Sequence, residues 1–265
     1  MLKLCLAGGL GRMGHVIAGL VERAGGFSIV SVLEAEDAVR TAPDYARVTG
    51  YSGGEVLVTH DTARAFEPAD VVIDFSLPPG FEAVLAGALA TPRPLVTGTT
   101  GIEGKDERLE PLAAKVAVVS APNMSVGVNI LFALSGLVAD LAGESADIEI
   151  IETHHRMKKD VPSGTALEIA RRIAETTGRR VSVGREKGIQ TRGGDVFIHS
   201  VRMGGVAGEH TLGLSLEGEV LKIEHTALSR DCFASGALRA ARFAAEAPPG
   251  IYSMLDVLKL KSLER

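Results

Sequence analysis

The segment Gly8-Gly9-Leu10-Gly11-Arg12-Met13-Gly14 constrains the fold of this chain more than any other. It follows an apolar run over residues 2–7 that reads as a strand, and it precedes Val16, Ile17, Leu20 and Val21, whose spacing is helical. Glycines at this density suit a tight turn and a close approach of one backbone to another. A strand, a glycine turn and a helix start in that order predict a strand–turn–helix unit. A second apolar strand, Phe27–Leu33, carries Glu34 at its carboxyl end. Further apolar runs near Val56–Val58, Val71–Phe75, Pro94–Thr97 and Val116–Val119 alternate with helical stretches near Gly80–Ala90 and Lys105–Ala113. This alternation, with strands that are almost continuously apolar, predicts an α/β fold built on a Rossmann-like, doubly wound parallel sheet.

After Asn123 the pattern changes. Val126–Leu141 reads as a long apolar helix, Asp147–Ile151 as a strand, and Ala166–Thr177 as a helix with Leu167, Ala170 and Ile173 on one face. Strands near Val196–Met203, His210–Leu216 and Val220–Ala227 follow without intervening helices, which predicts a second α+β domain with a mixed or antiparallel sheet. Arg230–Ala245 reads as a helix with Phe233, Ala237, Ala240 and Ala244 on one side. The length of 265 residues and a hydrophobic content of 46% supply enough apolar surface for two cores. A net charge of −5 argues against a nucleic-acid-binding surface. Cys5 and Cys232 give no disulfide framework and suit a reducing compartment. No stretch reaches the roughly 20 apolar residues of a membrane span. The apolar start, Met1 to Ala7, stops at a glycine turn and lacks a signal-peptide plan. The expectation is a soluble cytoplasmic protein with neither nucleic acid nor membrane as partner.

A strand end, a Gly8-x-x-Gly11-x-x-Gly14 turn and a helix N-terminus form the context that a dinucleotide pyrophosphate needs. The spacing departs from G-x-G-x-x-G, although Gly9 keeps the turn permissive. Glu34 lies twenty residues past Gly14 at the end of the second strand. A carboxylate there can accept from both adenosine ribose hydroxyls and repel a 2′-phosphate. A structural turn and an exposed strand-end glutamate are the plain alternatives.

The densest concentration of chemistry is Glu152-Thr153-His154-His155-Arg156-Met157-Lys158-Lys159-Asp160-Val161-Pro162-Ser163-Gly164-Thr165, between a predicted strand and a predicted helix. The first turn of a helix presents unpaired N–H groups and the positive end of the dipole, so Ser163, Gly164 and Thr165 can cradle a carboxylate or phosphate. Ser163 or Thr165 suits the N-cap, and Pro162 sets the entry. If the strand persists that far, its period puts Glu152 and His154 on one side and His155 on the other. A metal site is disfavoured, because adjacent histidines rarely ligate one ion and Arg156, Lys158 and Lys159 would repel it. An anionic ligand suits His155, Lys158, Gly164 and Thr165 better.

The pattern E-x-H-H-x-x-K-x-D-x-P-S-G-T over Glu152–Thr165 resembles the signature of the dihydrodipicolinate reductases, also called 4-hydroxy-tetrahydrodipicolinate reductases, of bacterial lysine and diaminopimelate synthesis. The glycine turn, Asp74-Phe75-Ser76, Gly98-Thr99-Thr100-Gly101, Pro122-Asn123-Met124-Ser125-Val126-Gly127-Val128-Asn129 and Gly208-Glu209-His210-Thr211 resemble that family in the same order. The resemblance implies NAD(P)H-dependent reduction of 4-hydroxy-tetrahydrodipicolinate, by way of dihydrodipicolinate, to tetrahydrodipicolinate. It implies cofactor contacts from Gly8, Gly9, Leu10, Gly11, Arg12, Met13 and Glu34, and toward the nicotinamide half from Gly98, Thr99, Thr100, Ala121, Pro122, Asn123 and Met124. His154 falls at the family's proton-donor position and Lys158 at its second donor, with His155, Ser163, Gly164 and Thr165 on the dicarboxylate substrate. Relatives that use NADPH well commonly carry an arginine after the acidic residue. Here that position is Ala35, so NADH is expected to be preferred over NADPH, with Arg12 and Arg40 left as groups that could reach a 2′-phosphate.

The resemblance also implies that the C-terminal helix returns to the first domain, giving 1–125 with 235–265 as the dinucleotide-binding domain and 126–234 as the substrate and tetramerisation domain of a homotetramer. His60, His199, His210 and His225 read as ordinary turn or sheet residues. Gly184-Arg185-Glu186-Lys187 departs from the Gly-Arg-Glu-Gly of many relatives, and Ser229-Arg230 resembles a position near the substrate. A sugar or aspartate dehydrogenase of the same two-domain plan would share the glycine turn but not the His-His-x-x-Lys loop. A redox-sensing regulator would need a partner-recognition element such as a helix-turn-helix, for which the sequence offers no candidate.

Overall fold

The apolar runs of the N-terminal half become strands covered on both faces. The structure is a computed structural model describing residues 1–42, 44–185, 187–188 and 193–263. In chain order the elements are β1 (Leu2–Ala7), α1 (Arg12–Ala24), β2 (Phe27–Leu33), α2 (Glu36–Thr41), α3 (Tyr45–Thr49), β3 (Leu57–Thr59), α4 (Thr62–Phe66), β4 (Val71–Asp74), α5 (Pro78–Ala90), β5 (Leu95–Thr97), α6 (Lys105–Ala113) and β6 (Ala117–Ser120). The chain continues with α7 (Val126–Ala142), β7 (Asp147–His154), α8 (Gly164–Thr177), β8 (Val181–Val183), β9 (Val196–Arg202), β10 (Glu209–Leu216) and β11 (Glu219–Thr226). It ends with α9 (Asp231–Glu246), β12 (Gly250–Tyr252), α10 (Met254–Val257) and a 3₁₀ turn at Lys261–Leu263.

Two compact units result, Met1–Ser125 with Arg230–Val257, and Val126–Ser229 with Leu258–Arg265. The sequence reading put the chain's return at 235 and kept everything after it in the first unit. Arg230 already belongs there, because α9 packs on α1 and on strands β4, β5 and β6. The stretch beyond Val257 groups with the second unit, where the terminal 3₁₀ turn packs on α7.

In the first unit the sheet order is β12-β6-β5-β4-β1-β2-β3, with every pairing parallel. The strand order reverses at β1, which has β2 on one side and β4 on the other, and such a switch point opens a crevice at the carboxyl ends of the strands. Cys5, Phe66, Phe81, Leu95, Leu109 and Leu112 are fully buried in one core cluster. Burial pushes the Cys5 thiol up to about 12, so it is protonated and inert at neutral pH. The short elements α2, α3, α4, β8, β12 and α10 went unpredicted, since three to six residues carry too little periodicity to register.

In the second unit the sheet order is β11-β10-β7-β9-β8. β10 is antiparallel to β11 and β7, whereas β9 is parallel to β7 and β8, so the sheet is mixed. α7 and α8 pack on each other, and they share a core with Ile148, Ile150, Val196, Ile198, Leu212 and Leu214. β7 runs to His154 rather than ending at Ile151, because its neighbours keep pairing: Thr153 registers with Glu209, and His154 with Arg202. Its alternate residues Ile148, Ile150, Glu152 and His154 are buried. The strand period thus puts the glutamate and the histidine on the face whose apolar part is the core.

Candidate active site

The first unit carries a cleft of about 760 Å³ at the β1 switch point, lined by Gly8, Gly11, Arg12, Met13, Glu34 and Ala35 among others. The glycines of the turn divide into two groups. Gly8 has φ +76° and Gly11 is the N-cap of α1 with no side-chain cap, which leaves first-turn N–H groups open. Gly9 and Gly14 face inward. A Cβ on Gly14 would lie 2.0 Å from the Gly9 carbonyl oxygen, and one on Gly9 would lie 2.9 Å from both γ-carbons of Val32. Gly9 is buried and serves the close packing that shapes the turn.

Leu10 N–H donates to Glu34 Oε1 at 2.6 Å, tying the turn to the end of β2. Burial raises the pKa of Glu34, partly offset by the N–H groups of Leu10 and Ala35. Ala35 and Arg12 are exposed, and Arg40 pairs with Glu36 at 2.5 Å. His60, read from sequence as a surface turn residue, also lines the cleft. Open helix N–H groups, a glycine cradle and a carboxylate at the strand end fit a dinucleotide.

Fully buried Asp74, at the end of β4, accepts from Ser76 N–H at 2.9 Å and from the hydroxyls of Ser76, Thr97 and Thr99 at 2.6, 2.8 and 2.8 Å. The Thr99 hydroxyl therefore serves the loop. Lys105 Nζ donates to the Thr99 carbonyl at 2.8 Å, a brace the sequence did not signal. A Cβ on Gly98 would lie 2.4 Å from the Phe75 ring. Thr100 and Pro122 are exposed, Asn123 is half-buried, and the side chains of Ala121 and Met124 are buried. Any part that Thr99, Ala121 and Met124 take in cofactor binding thus falls to their backbone, because their side chains are spent on the interior.

In the second unit, β7, the loop after it, β9 and β10 converge. Glu152 is fully buried. Arg202 Nη1 and Nη2 donate to its two oxygens at 2.8 Å each, Ser163 N–H to Oε1 at 3.2 Å, and His154 Nδ1 lies 2.5 Å from Oε2. Burial alone would raise the Glu152 pKa, but Arg202 above all, then the Ser200 hydroxyl and His154, outweigh it and hold the carboxylate down to about 2. Burial lowers the His154 pKa, and Glu152 pulls it partly back. A Cβ on Gly208 would stand 3.1 Å from His154 Nε2. The His210 ring meets His154 edge-on at 5.1 Å, and burial, with His154 and His225 nearby, pushes its pKa down to about 3.

Lys158 Nζ pairs with Asp160 at 2.8 Å, and Arg202 Nη2 donates to the Asp160 carbonyl at 2.6 Å, folding the loop onto β9. Of the two N-cap candidates it is Ser163 that caps α8, its hydroxyl accepting from Ala166 N–H at 3.2 Å. Ser163 is buried, with its own N–H on Glu152 and its hydroxyl 3.3 Å from His210 Nε2. Read from sequence as a substrate contact, it is already committed to holding Glu152 and the helix start. Gly164 is exposed, while Thr165, His155 and Lys158 are half-buried.

Sequence reasoning missed Arg202 and His210 as members of this cluster. Glu152 was weighed from sequence only as one possible ligand, with His154, His155 and Asp160, of the disfavoured metal site, and its period-two relation to His154 was the available signal. Nothing local marked Arg202. Arg185 pairs with Glu149 at 2.7 Å, whereas Glu186 beside it lies outside the described residues. Among the described residues no group of three or more His, Cys, Asp or Glu is placed to hold a metal ion.

The geometry agrees with what the chain is similar to. The family described as "Dihydrodipicolinate reductase, N-terminus" matches residues 2–124, and "Dihydrodipicolinate reductase, C-terminus" matches residues 127–258. The 4-hydroxy-tetrahydrodipicolinate reductase of Syntrophus aciditrophicus is 39% identical, covering 99% of this chain and 100% of its own length. That of Syntrophobacter fumaroxidans is 40% identical, covering 98% and 100%. Among solved structures, the dipicolinate-bound dihydrodipicolinate reductase from Paenisporosarcina sp. TG-14 matches with a TM-score of 0.77 and 25% identity over 97% of this chain and 98% of that one. With both family halves matched in order and relatives aligned end to end, the chain belongs to the dihydrodipicolinate reductase family.

Proposed function

We propose that the protein reduces 4-hydroxy-tetrahydrodipicolinate, by way of dihydrodipicolinate, to tetrahydrodipicolinate with NAD(P)H, in lysine and diaminopimelate synthesis. The observation that carries this reading is one cluster: His154 held at Nδ1 by a buried carboxylate, with Lys158 four residues on and the α8 N-terminus at Gly164 and Thr165. The dipicolinate bound by the Paenisporosarcina reductase is a ring dicarboxylate, and a dianion suits an ammonium, an imidazole and the positive end of a helix.

A dinucleotide held by the glycine turn would supply the hydride for reduction of the conjugated ring system. The chain's own residues do the rest. His154 delivers a proton to the electron-rich ring carbon. Lys158 stabilises negative charge at the ring nitrogen or the adjacent carboxylate. His155, Gly164 and Thr165 orient the carboxylates, and Ser163 holds the helix start. Gly8, Gly11, Arg12, Met13 and Glu34 hold the dinucleotide, with the loops at Gly98–Thr100 and 121–124 toward its nicotinamide half.

NADH is the preferred donor in this reading. Glu34 at the ribose position repels a 2′-phosphate, Ala35 offers no clamp, and Arg40 is paired with Glu36. Arg12 is the remaining cation of the turn. A cytoplasmic homotetramer joined through the second unit's sheet is part of the same proposal, supported by exposed Ile151, Val201 and Val220 on strands of that sheet. No helix among the described residues is long and apolar enough to cross a membrane.

The deciding experiment follows NADH and NADPH oxidation with the product of dihydrodipicolinate synthase as substrate, in wild type, His154→Ala and Lys158→Ala. Rapid turnover that collapses in both variants supports the assignment. Nucleotide binding without turnover on that substrate rejects it.

A further inference from the structure

Glu152 has no part in the chemistry above, yet an ionised carboxylate so fully buried is costly unless every lone pair is engaged. Its partners are specific and come from three parts of the second unit. Oε1 accepts from Arg202 Nη2 on β9 and from Ser163 N–H at the start of α8. Oε2 accepts from Arg202 Nη1 and faces His154 Nδ1 at 2.5 Å. The bidentate guanidinium fixes the plane of the carboxylate. A carboxylate held ionised is an acceptor only, so the atom opposite Oε2 must be a donor, Nδ1–H.

We infer that Arg202 and Glu152 are positioning residues that lock His154 as its Nδ1–H tautomer, so that the proton it delivers leaves from Nε2. The inference rests on the proposed role of His154 as proton donor. In the transfer step the Nε2–H bond breaks and its electron pair stays on Nε2. The new C–H bond takes the electron pair of the electron-rich ring carbon. His154 passes from imidazolium to neutral imidazole with Nδ1–H still on Glu152, and Glu152 takes no proton. Solvent then re-protonates Nε2.

Gly208 keeps room beside Nε2, because a Cβ there would stand 3.1 Å from it. The charged or titratable groups around His154 are Glu152 on its own strand, Lys158 on the following loop with Asp160 paired to it, Arg202 on β9 and His210 on β10, with His225 on β11 behind His210. Among these Glu152 alone both touches the ring and favours its charged form.

The test reads the tautomer directly. Full-length protein labelled with ¹⁵N-histidine is examined by two-bond ¹⁵N–¹H correlation near pH 8, with the His154 signals assigned by their loss in His154→Gln. Wild type is expected to show His154 as Nδ1–H. Glu152→Gln, whose amide can present a donor to Nδ1, is expected to lose that single tautomer. Its kcat should fall by roughly 10²- to 10⁴-fold, as when the orienting carboxylate of a catalytic histidine is amidated, with KM for the dicarboxylate changed less than about threefold. Its descending limb of kcat/KM should move to lower pH, since the charged form loses its partner. Arg202→Lys should retain part of the activity that Arg202→Met loses.

Nε2–H in the wild type overturns the inference, as does a Glu152→Gln protein that turns over within a few-fold of wild type. A rise in KM without change of tautomer in Arg202→Met also overturns it, because Arg202 would then act on the substrate. Should Arg202→Met fail to fold, the wild-type tautomer and Glu152→Gln still decide. Full turnover in His154→Gln would instead reject the proton-donor reading, whatever the tautomer.

Discussion

The glycine turn of the first unit and the histidine loop of the second are both built at strand ends, but from different material. The turn is made of backbone. Gly8 supplies a positive φ, Gly9 and Gly14 let backbone and strand close to distances no side chain permits, and Glu34 ties Leu10 N–H. The second site is made of side chains that meet from β7, its loop, β9 and β10. A backbone site is specified by spacing along one stretch of chain. A side-chain site depends on sheet register, which brings Arg202 fifty residues along the chain to Glu152. The two should therefore fail in different ways.

The sharpest contrast is His154→Ala. Loss of a general acid is expected to cost roughly 10²- to 10⁴-fold in kcat, while the dissociation constant for NADH, measured by fluorescence titration, stays within about twofold. A parallel loss of NADH affinity would break the contrast. Gly14→Ala should do the reverse. With a Cβ 2.0 Å from the Gly9 carbonyl, the turn must shift, at a stability cost of about 1–3 kcal/mol. NADH titration should weaken sharply, while the Glu152–His154 pair of the second unit persists by NMR.

The second site should also carry an acid sensitivity that the turn lacks. His210 is depressed from the ordinary 6.5 to about 3, so the unfolded chain takes up a proton below pH 6.5 that the folded chain refuses until about pH 3. Stability is accordingly lost as pH falls from 6.5, by at most about 1.4 kcal/mol per pH unit from this group. Glu152, lowered from 4.5 to about 2, adds a further loss between those two values. Urea unfolding at pH 7, 5.5 and 4.5 should show the decline in wild type and a shallower one in His210→Gln. Equal slopes would mean that His210 is not held neutral.

The smallest effect concerns the nucleotide. Ala35→Arg would place a guanidinium beside Glu34 in the cleft lining, where the proposed reading puts the ribose. One charge-assisted hydrogen bond, worth about 1.5–3 kcal/mol, should raise kcat/KM for NADPH roughly tenfold or more with little change for NADH. An unchanged ratio would remove Ala35 from the account of donor preference and leave Arg12 to be tested.

Legibility followed the same division. β1, β2 and α6 have the bounds that the sequence predicts, the strands because their apolar runs are continuous and buried, α6 because Leu109, Leu112 and Ala113 recur at helical spacing and are its buried residues. β7 outran its apolar run by three residues. Glu152, Thr153 and His154 do not read as a strand in isolation, and only pairing with β10 and β9 extends it. Ser163 was marked as a helix start by its residue type, and it caps α8. That its N–H is spent on Glu152 is a tertiary fact. His210 looked like an ordinary strand residue because its importance lies in the ring it faces.

The sequence by itself determined the parallel α/β architecture, the glycine turn with its acidic strand end, and the His154–Lys158–Ser163 loop that marks the family. These are local features, written in spacing and residue type. The tertiary structure decided which groups are spent inside the protein and which face outward. It turned the Thr99 hydroxyl toward Asp74, buried Met124, and set Arg202 on Glu152 behind His154. The physical reason is that a buried polar group must find its partner wherever the fold places one, and strand register rather than chain proximity selects it.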